Sequence, residues 1–284
     1  MKWIIVCGLV SSLLLDAAAL DDSLHKILAA SGMKNPLRED RQRPIDPRLI
    51  KIETEGIEHS GLFPGKIHRV HNAKEIRDLS EHVNPGDQVV LTGSDWKDTH
   101  QIRFAAHGTE QAPILIRGEK PGGVVLTGTS SVVFYGEHLV IMDLDFKDIV
   151  VASTGTVIFR LGDGKEHPAA HSIVNRIRIE NCNSTSPEDW PRIRMWYMTV
   201  NGPGNTVANS TFADLKNFGQ MLAAQELPKE GLLQLHILNN RFINRPMIDR
   251  QNGYELIQIG WSAHSWPNFF PLLSLYLPYY QYAP

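Results

Sequence analysis

A four-position pattern recurs along the chain and constrains its fold more than any other feature. Two aliphatic residues stand two positions apart, an Asn or Asp follows two positions later, and an aromatic residue three positions after that. The pattern occurs at Leu139, Ile141, Asp143 and Phe146, at Leu235, Ile237, Asn239 and Phe242, and, with a polar first position, at Asn205, Val207, Asn209 and Phe212. A further copy, Ile177, Ile179 and Asn181, has Ser184 in place of the aromatic residue. The Asn or Asp positions 143, 181, 209 and 239 are 38, 28 and 30 residues apart.

This spacing predicts an all-β fold, a single-stranded right-handed parallel β-helix. Alternating aliphatic residues would point into a narrow core, and an Asn at the same place in each coil would turn inward and hydrogen-bond the backbone of the next coil. The alternative is a β-sandwich with Asn-rich turns. Hairpin-type Asn-Gly pairs occur only at Asn201-Gly202 and Asn252-Gly253, which argues against a series of hairpins.

An N-terminal capping helix is predicted just before the strands. Asn72 is a suitable N-cap for a short helix that reaches about Val83, with Ile76 and Leu79 at helical spacing. Pro85-Gly86-Asp87 then predicts a turn into a strand over 88–92. A helix in this place would cover the exposed edge of the first coil of a solenoid.

The chain divides into four segments by composition. Residues 1–19 combine an apolar run with Ala17-Ala18-Ala19, which predicts a signal peptide and a secreted or periplasmic protein. The run is shorter than the roughly 20 apolar residues that span a bilayer, so no membrane association is expected after cleavage. Residues 20–60 are interpreted as an irregular polar lead-in, residues 61–265 as the β-helix, and residues 266–284 as an atypical apolar tail.

The net charge argues against general nucleic-acid binding, and the cysteine content indicates a structural role for Cys182. A formal net charge of -3 over 284 residues gives no general attraction for nucleic acid, so an anionic partner must meet a local basic surface. Removal of the signal peptide would leave Cys182 as the one cysteine, which we expect to be a small buried apolar group.

Several separate stretches, in order, resemble polysaccharide lyase family 6, the family of chondroitinase B and alginate lyases. They are 85–91 with Gly93 and Trp96, 112–119, 125–128, 209–212 with Lys216 and Gly219, 239–242 with Arg245, and 252–262. The resemblance implies β-elimination in an anionic, uronate-containing polysaccharide such as alginate or dermatan or chondroitin sulfate. It also implies Ca²⁺, which neutralises the uronate carboxylate, together with a Lys that removes the C5 proton and an Arg near the leaving oxygen.

The resemblance assigns three residues of this sequence. Asn252 is similar in place to the family's Asn ligand of calcium, which makes it the candidate metal ligand. Lys216 and Arg245 are the candidates for contacting an anionic sugar. They could also be surface charges or structural ion pairs.

The sequence departs from the family after this point. It has no Glu-x-Glu after Glu255 and no Lys or Arg after Arg250, so no catalytic residue is assigned and the Ca²⁺ site is incomplete. We therefore expect a catalytically incomplete chain, truncated at its C-terminus. Its uncharged residues 266–284 would be the read-through of an intron, a shifted reading frame or the end of an incomplete gene model, or else an apolar cap. The alternatives are a non-catalytic carbohydrate-binding β-helix and a fragment without function. The sequence does not indicate an oligomeric state.

Overall fold

The computed structural model describes residues 46–94, 96–224, 234–246 and 254–259, and the backbone of 274–275. These residues form the predicted single-stranded right-handed parallel β-helix, with three sheets. The predicted signal peptide and most of the apolar tail lie outside the described residues. Within the described ranges, no helix has both the length and the apolar character needed to cross a membrane.

The coils contribute strands to three sheets. Sheet A contains β1 (Ile67–Val70), β2 (Gln88–Leu91), β4 (Ile114–Gly118), β7 (Leu139–Met142), β11 (Ile173–Asn175), β14 (Thr206–Ala208), β17 (His236–Leu238) and β20 (Ser274–Leu275). Sheet B contains β5 (Val125–Leu126), β8 (Asp145–Lys147), β12 (Arg178–Glu180), β15 (Thr211–Ala213) and β18 (Arg241–Ile243). Sheet C contains β3 (Gln101–His107), β6 (Ser131–Glu137), β9 (Thr156–Leu161), β10 (Ala169–Ala170), β13 (Arg194–Val200), β16 (Phe218–Ala224) and β19 (Ile257–Ile259). Neighbouring strands are parallel, as coils stacked in one direction require.

The register corrects one copy of the sequence pattern. Met142 pairs with Asn175, Asn175 with Ala208, and Ala208 with Leu238. The equivalent positions are therefore 143, 176, 209 and 239, at regular intervals of 33, 33 and 30 residues. Asn181 instead lies at the next corner of the same coil, directly after β12. There its Nδ2 donates to Asp148 Oδ1 at 2.7 Å.

These equivalent positions lie at the corner between sheets A and B, and all four have left-handed backbone torsions. Their φ angles are 57° at Asp143, 52° at Arg176, 49° at Asn209 and 51° at Asn239. Asn and Asp tolerate this conformation better than most residues, which explains the pattern. Arg176 is the exception, and two hydrogen bonds from its guanidinium to Asp143, both 2.9 Å, stabilise it there.

The predicted inward-turning Asn is found at other corners. Asn209 and Asn239 form an amide ladder instead, in which Asn239 Nδ2 donates to Asn209 Oδ1 at 2.8 Å. Fully buried Asn205 accepts from Ser172 N at 3.0 Å and donates to Ala169 O at 2.8 Å. The prediction was therefore right about the interaction and wrong about the position that makes it.

The interior is a continuous apolar column. Aromatic residues stack along it, with the rings of Phe212 and Phe242 on adjacent coils 5.2 Å apart and nearly parallel. Cys182 is fully buried in this core, and burial raises the pKa of its thiol to about 12. This confirms that Cys182 acts as a small apolar group.

The capping helix is present but shorter than predicted. Helix α2 (Ala73–Asp78) follows Asn72, whose Oδ1 accepts from Lys74 N and Glu75 N, both at 3.0 Å. Ile76 is fully buried against the first coil. The helix ends early because Glu81 takes a left-handed φ of 63°, which helical geometry excludes.

The irregular lead-in predicted for 20–60 is wrong for its last part, which forms helix α1 (Pro47–His59) with a kink at Gly56. Leu49 and Ile52 on this helix are 5% and 3% exposed and pack on the outer face of sheet A. The helix thus crosses several coils from outside.

Candidate functional site

The outer face of sheet C carries polar and aromatic side chains on successive coils. Trp196 packs with Val157 and Ala223 in a cluster separate from the interior core, which shows that it points outward. Its Nε1 donates to Gln220 Oε1 at 2.6 Å, and Gln220 Nε2 donates to Glu255 Oε2 at 2.7 Å. These two bonds fix the orientation of the Gln220 amide. They link β13, β16 and Glu255, which lies two residues before β19, across the face.

An arginine lies over the aromatic rings of this face. The guanidinium carbon of Arg194 is 4.9 Å from the ring centroid of Trp196 and 5.1 Å from that of Phe218. The Phe218 ring meets the Tyr254 ring edge to face at 5.9 Å. Cation–π contacts of this kind hold a guanidinium in place while leaving it charged.

Lys216 lies in the turn between β15 and β16. Its Nζ is 5.2 Å from the ring centroid of Trp190 and 3.3 Å from Asn181 Oδ1. Its backbone N–H donates to Asn183 Oδ1 at 2.7 Å, which fixes the turn. The ammonium group is thus held by an aromatic ring and an amide oxygen, neither of which neutralises its charge.

Arg245 follows β18 and points back at the previous coil. Its Nη1 donates to Leu215 O at 2.6 Å and to Asn217 O at 2.8 Å, and its Nη2 donates to Gly219 O at 2.5 Å. Its guanidinium also lies 4.6 Å from the ring centroid of Tyr254. Burial lowers the pKa of Arg245 to about 10, so the group remains protonated at neutral pH.

The structure therefore brings both candidate sugar-binding residues to one corner. Arg245 binds the carbonyl groups on either side of Lys216 and so holds the turn that presents the ammonium group. Direct contact of Lys216 and Arg245 with a sugar stays a prediction.

The candidate metal ligand Asn252 lies outside the described residues. Within the ranges that are described, no group of three or more His, Cys, Asp or Glu side chains is placed to hold a metal ion. The expectation of Ca²⁺ therefore stays a prediction.

Sequence reasoning missed Trp196 and Gln220. Each stands inside a largely apolar strand, where a polar atom must find a partner on the outer face. The sequence did contain one indication of this face, namely a single Gln between Gly219 and Met221 in an otherwise apolar strand. Its partners lie on neighbouring coils, so spacing alone could not identify them.

Comparison with known proteins places this geometry in a family. A sequence model of the chondroitinase B family matches residues 70–268. A mannuronic-acid-specific family 6 polysaccharide lyase from the human gut microbiota is similar, with a TM-score of 0.62 and 25% identity over 69% of this chain. The family 6 alginate lyase AlyGC is similar, with a TM-score of 0.56 and 26% identity over 70% of this chain. The chain spans 44% and 26% of the lengths of these two structures. A search of curated protein sequences found no significant match.

Proposed function

The chain belongs to the chondroitinase B family, and on this premise we propose that it is an exported, lyase-type β-helix that binds a uronate-containing polysaccharide. Alginate and dermatan or chondroitin sulfate are the candidate polymers. Each carries carboxylates at regular intervals, so the protein must present cations at a defined place on its surface. The similarity to lyases of mannuronic acid and alginate supports this class of ligand.

One observation carries the proposal, namely the corner at which Arg245 holds the turn of Lys216. Among the described residues, the contacts of this partly exposed ammonium group are to an amide oxygen and an aromatic ring, so it can pair with a uronate carboxylate. Arg245 serves as a positioning residue in this arrangement, because its donors are already directed at the backbone of the turn.

The adjacent outer face of sheet C supplies the remaining chemistry of recognition. The aromatic ring of Phe218 is partly exposed and can pack against the apolar face of a sugar ring. Glu255 is exposed, and its carboxylate can accept hydrogen bonds from sugar hydroxyl groups. Gln220 fixes the position of that carboxylate.

Asn252 is the one residue of this sequence that the resemblance assigns as a calcium ligand. In a lyase of this type the ion neutralises the carboxylate and makes the C5 proton more acidic. A single amide oxygen does not fit Ca²⁺, which takes about six to eight oxygen ligands. The sequence also lacks an assigned Lys to remove the proton. We therefore expect this chain to bind the polymer without cleaving it.

The test combines binding and cleavage in one sample. The purified chain is incubated with alginate, and separately with dermatan sulfate, in the presence of Ca²⁺. Binding is followed by affinity electrophoresis, and cleavage by the near-ultraviolet absorbance of the unsaturated uronate product. We expect retarded migration on at least one polymer and no rise in absorbance.

The matched variants are Lys216→Gln and Lys147→Gln. Lys147 is exposed on sheet B and controls for the loss of one positive charge elsewhere on the β-helix. Only Lys216→Gln should reduce the retardation. Migration unchanged by both polymers would refute the proposed binding function, and an absorbance rise would refute the proposed lack of cleavage.

A further inference from the structure

A second cationic cluster lies on the outer face of sheet C, on earlier coils. Arg103 on β3 and Arg160 on β9 both pair in register with Val133 of β6, which lies between them. Arg103 Nη1 donates to Asp163 Oδ2 at 2.5 Å, and Arg160 Nη1 donates to Asp163 Oδ1 at 3.0 Å. One carboxylate therefore holds two guanidinium groups.

The cluster has more donors than its carboxylate can use. A guanidinium presents five N–H donors, and each arginine donates to Asp163 through one nitrogen. The Nε of Arg160 is buried and has no hydrogen-bond partner among the described residues. Burial raises the pKa of Asp163, but hydrogen bonds from the two arginines outweigh burial and lower it overall. With Asp163 ionised, the three side chains carry one excess positive charge.

Solvent and ligands can reach this cluster. The side chains of Arg103, Arg160 and Asp163 are 39%, 30% and 23% exposed. The guanidinium carbon of Arg103 lies 5.4 Å from the ring centroid of Tyr135. The Tyr135 ring is partly exposed, so an apolar surface adjoins the cations.

The cluster is within reach of a polymer bound at the Lys216 turn. In sheet C, one strand, β13, separates β9 from β16, and Lys216 lies two residues before the start of β16. Two strand spacings correspond to about 10 Å along the β-helix axis. Through β13, Arg160 aligns with Ala223 of β16, seven residues beyond Lys216, which adds about 23 Å along the strand direction. A polymer that crosses sheet C obliquely would therefore bring carboxylates past both places, provided that it is long enough.

We propose that Arg103 and Arg160 form a distal binding site for a carboxylate of a uronate polymer, separate from the Lys216 turn. The carboxylate of the polymer would accept hydrogen bonds from both guanidinium groups, beside Asp163, and would neutralise the one excess positive charge of the cluster. The site rests on the proposed function, since it binds a further part of the same polymer. It makes affinity depend on polymer length, because only a long oligomer reaches both sites.

The test measures the dissociation constants of short and long uronate oligomers by isothermal titration calorimetry. The double variant Arg103→Gln/Arg160→Gln should bind long oligomers about tenfold more weakly, as expected for the loss of charge-assisted hydrogen bonds, and short ones as the wild type does. Arg178→Gln, which removes an exposed arginine from sheet B, is the control and should change neither constant.

Asp163→Asn gives a result of opposite sign. It removes the competing carboxylate, so long oligomers should bind more tightly than to the wild type. A cluster that only stabilises the fold would give unchanged or weaker binding. If the double variant shows no cooperative melting transition, Asp163→Asn decides the question by itself.

The outcomes separate this site from the proposed function. Wild-type protein that binds no oligomer of any length refutes both. If Lys216→Gln weakens binding while the double variant binds long oligomers as the wild type does, the proposed function stands and the distal site is refuted. Unchanged or weaker binding of long oligomers by Asp163→Asn also refutes the distal site.

Discussion

The replacement Arg245→Lys tests whether Arg245 holds the coil that carries Lys216. The guanidinium reaches three carbonyl groups, those of Leu215, Asn217 and Gly219. The ammonium group of Lys keeps the positive charge, but its donors all lie on one nitrogen, so it cannot reach the three carbonyl groups that the planar guanidinium reaches. We expect it to retain one of the three hydrogen bonds and to lose two.

The magnitude follows from those two lost bonds. A hydrogen bond from a charged donor contributes roughly 1.5–3 kcal/mol, so two at the lower value give about 3 kcal/mol of unfolding free energy. For a domain of this size, that loss lowers Tm by about 6–12 °C. Because the turn loosens, affinity for the polymer should also fall.

Urea unfolding monitored by circular dichroism measures the effect. Arg241→Lys is the matched control, since Arg241 is exposed on β18, four residues earlier in the same coil. It should change the free energy by less than about 0.5 kcal/mol. If Arg245→Lys is no more destabilising than Arg241→Lys, the positioning role of Arg245 is refuted.

Three further predictions concern the β-helix itself. Gly219→Ala should lose more than about 3 kcal/mol of unfolding free energy, because its Cβ would overlap a carbonyl of the neighbouring coil; Gly155→Ala has a positive φ but open space, and should lose about 1–2 kcal/mol. Burial and a nearby arginine lower the pKa of His138, so the unfolded chain binds more protons below pH 6.5 and urea unfolding should show decreasing stability from pH 7 to 5. This decrease should be smaller in His138→Gln, and an equal decrease would contradict the assignment. Ile52→Ala should lose about 2–4 kcal/mol and speed amide exchange in α1, whereas Ile50→Ala, at a position 45% exposed, should do neither.

Local signals were enough to predict the start of the β-helix. The Asn72 side chain caps α2 as expected, because an N-cap depends on donors two and three residues away. The predicted turn at Asp87 leads into β2, and the Asp87 carboxylate accepts from Asn84 N at 3.0 Å and from Lys66 N at 2.7 Å. The first of these acceptor contacts is local, and the second joins adjacent coils.

The predicted spacing of the coils was wrong at one corner, where a contact between coils overrides the local preference for Asn or Asp. Arg176 occupies the corner position that favours Asn or Asp, and Asp143 on the previous coil stabilises it there. A search for Asn therefore chose Asn181, which belongs to the next corner. A coil length close to 33 residues would have indicated residue 176.

Helix α1 and the role of Arg245 were missed for related reasons. Asp46 and Pro47 form an N-cap and first-turn signature that the sequence does contain. The helix was missed because its apolar residues are buried by the outer face of sheet A, a contact that the local sequence does not reveal. The acceptors of Arg245 are backbone carbonyls 26 to 30 residues earlier, which leave no trace in side-chain spacing.

Calorimetric titration of the purified chain with long oligomers of alginate and, separately, of dermatan sulfate, alongside Lys216→Gln and Lys147→Gln, tests the central claim most directly. The account predicts saturable binding that is weakened by Lys216→Gln and unchanged by Lys147→Gln. Equal affinities in all three proteins, or no binding to alginate or dermatan sulfate by the wild type, would contradict it.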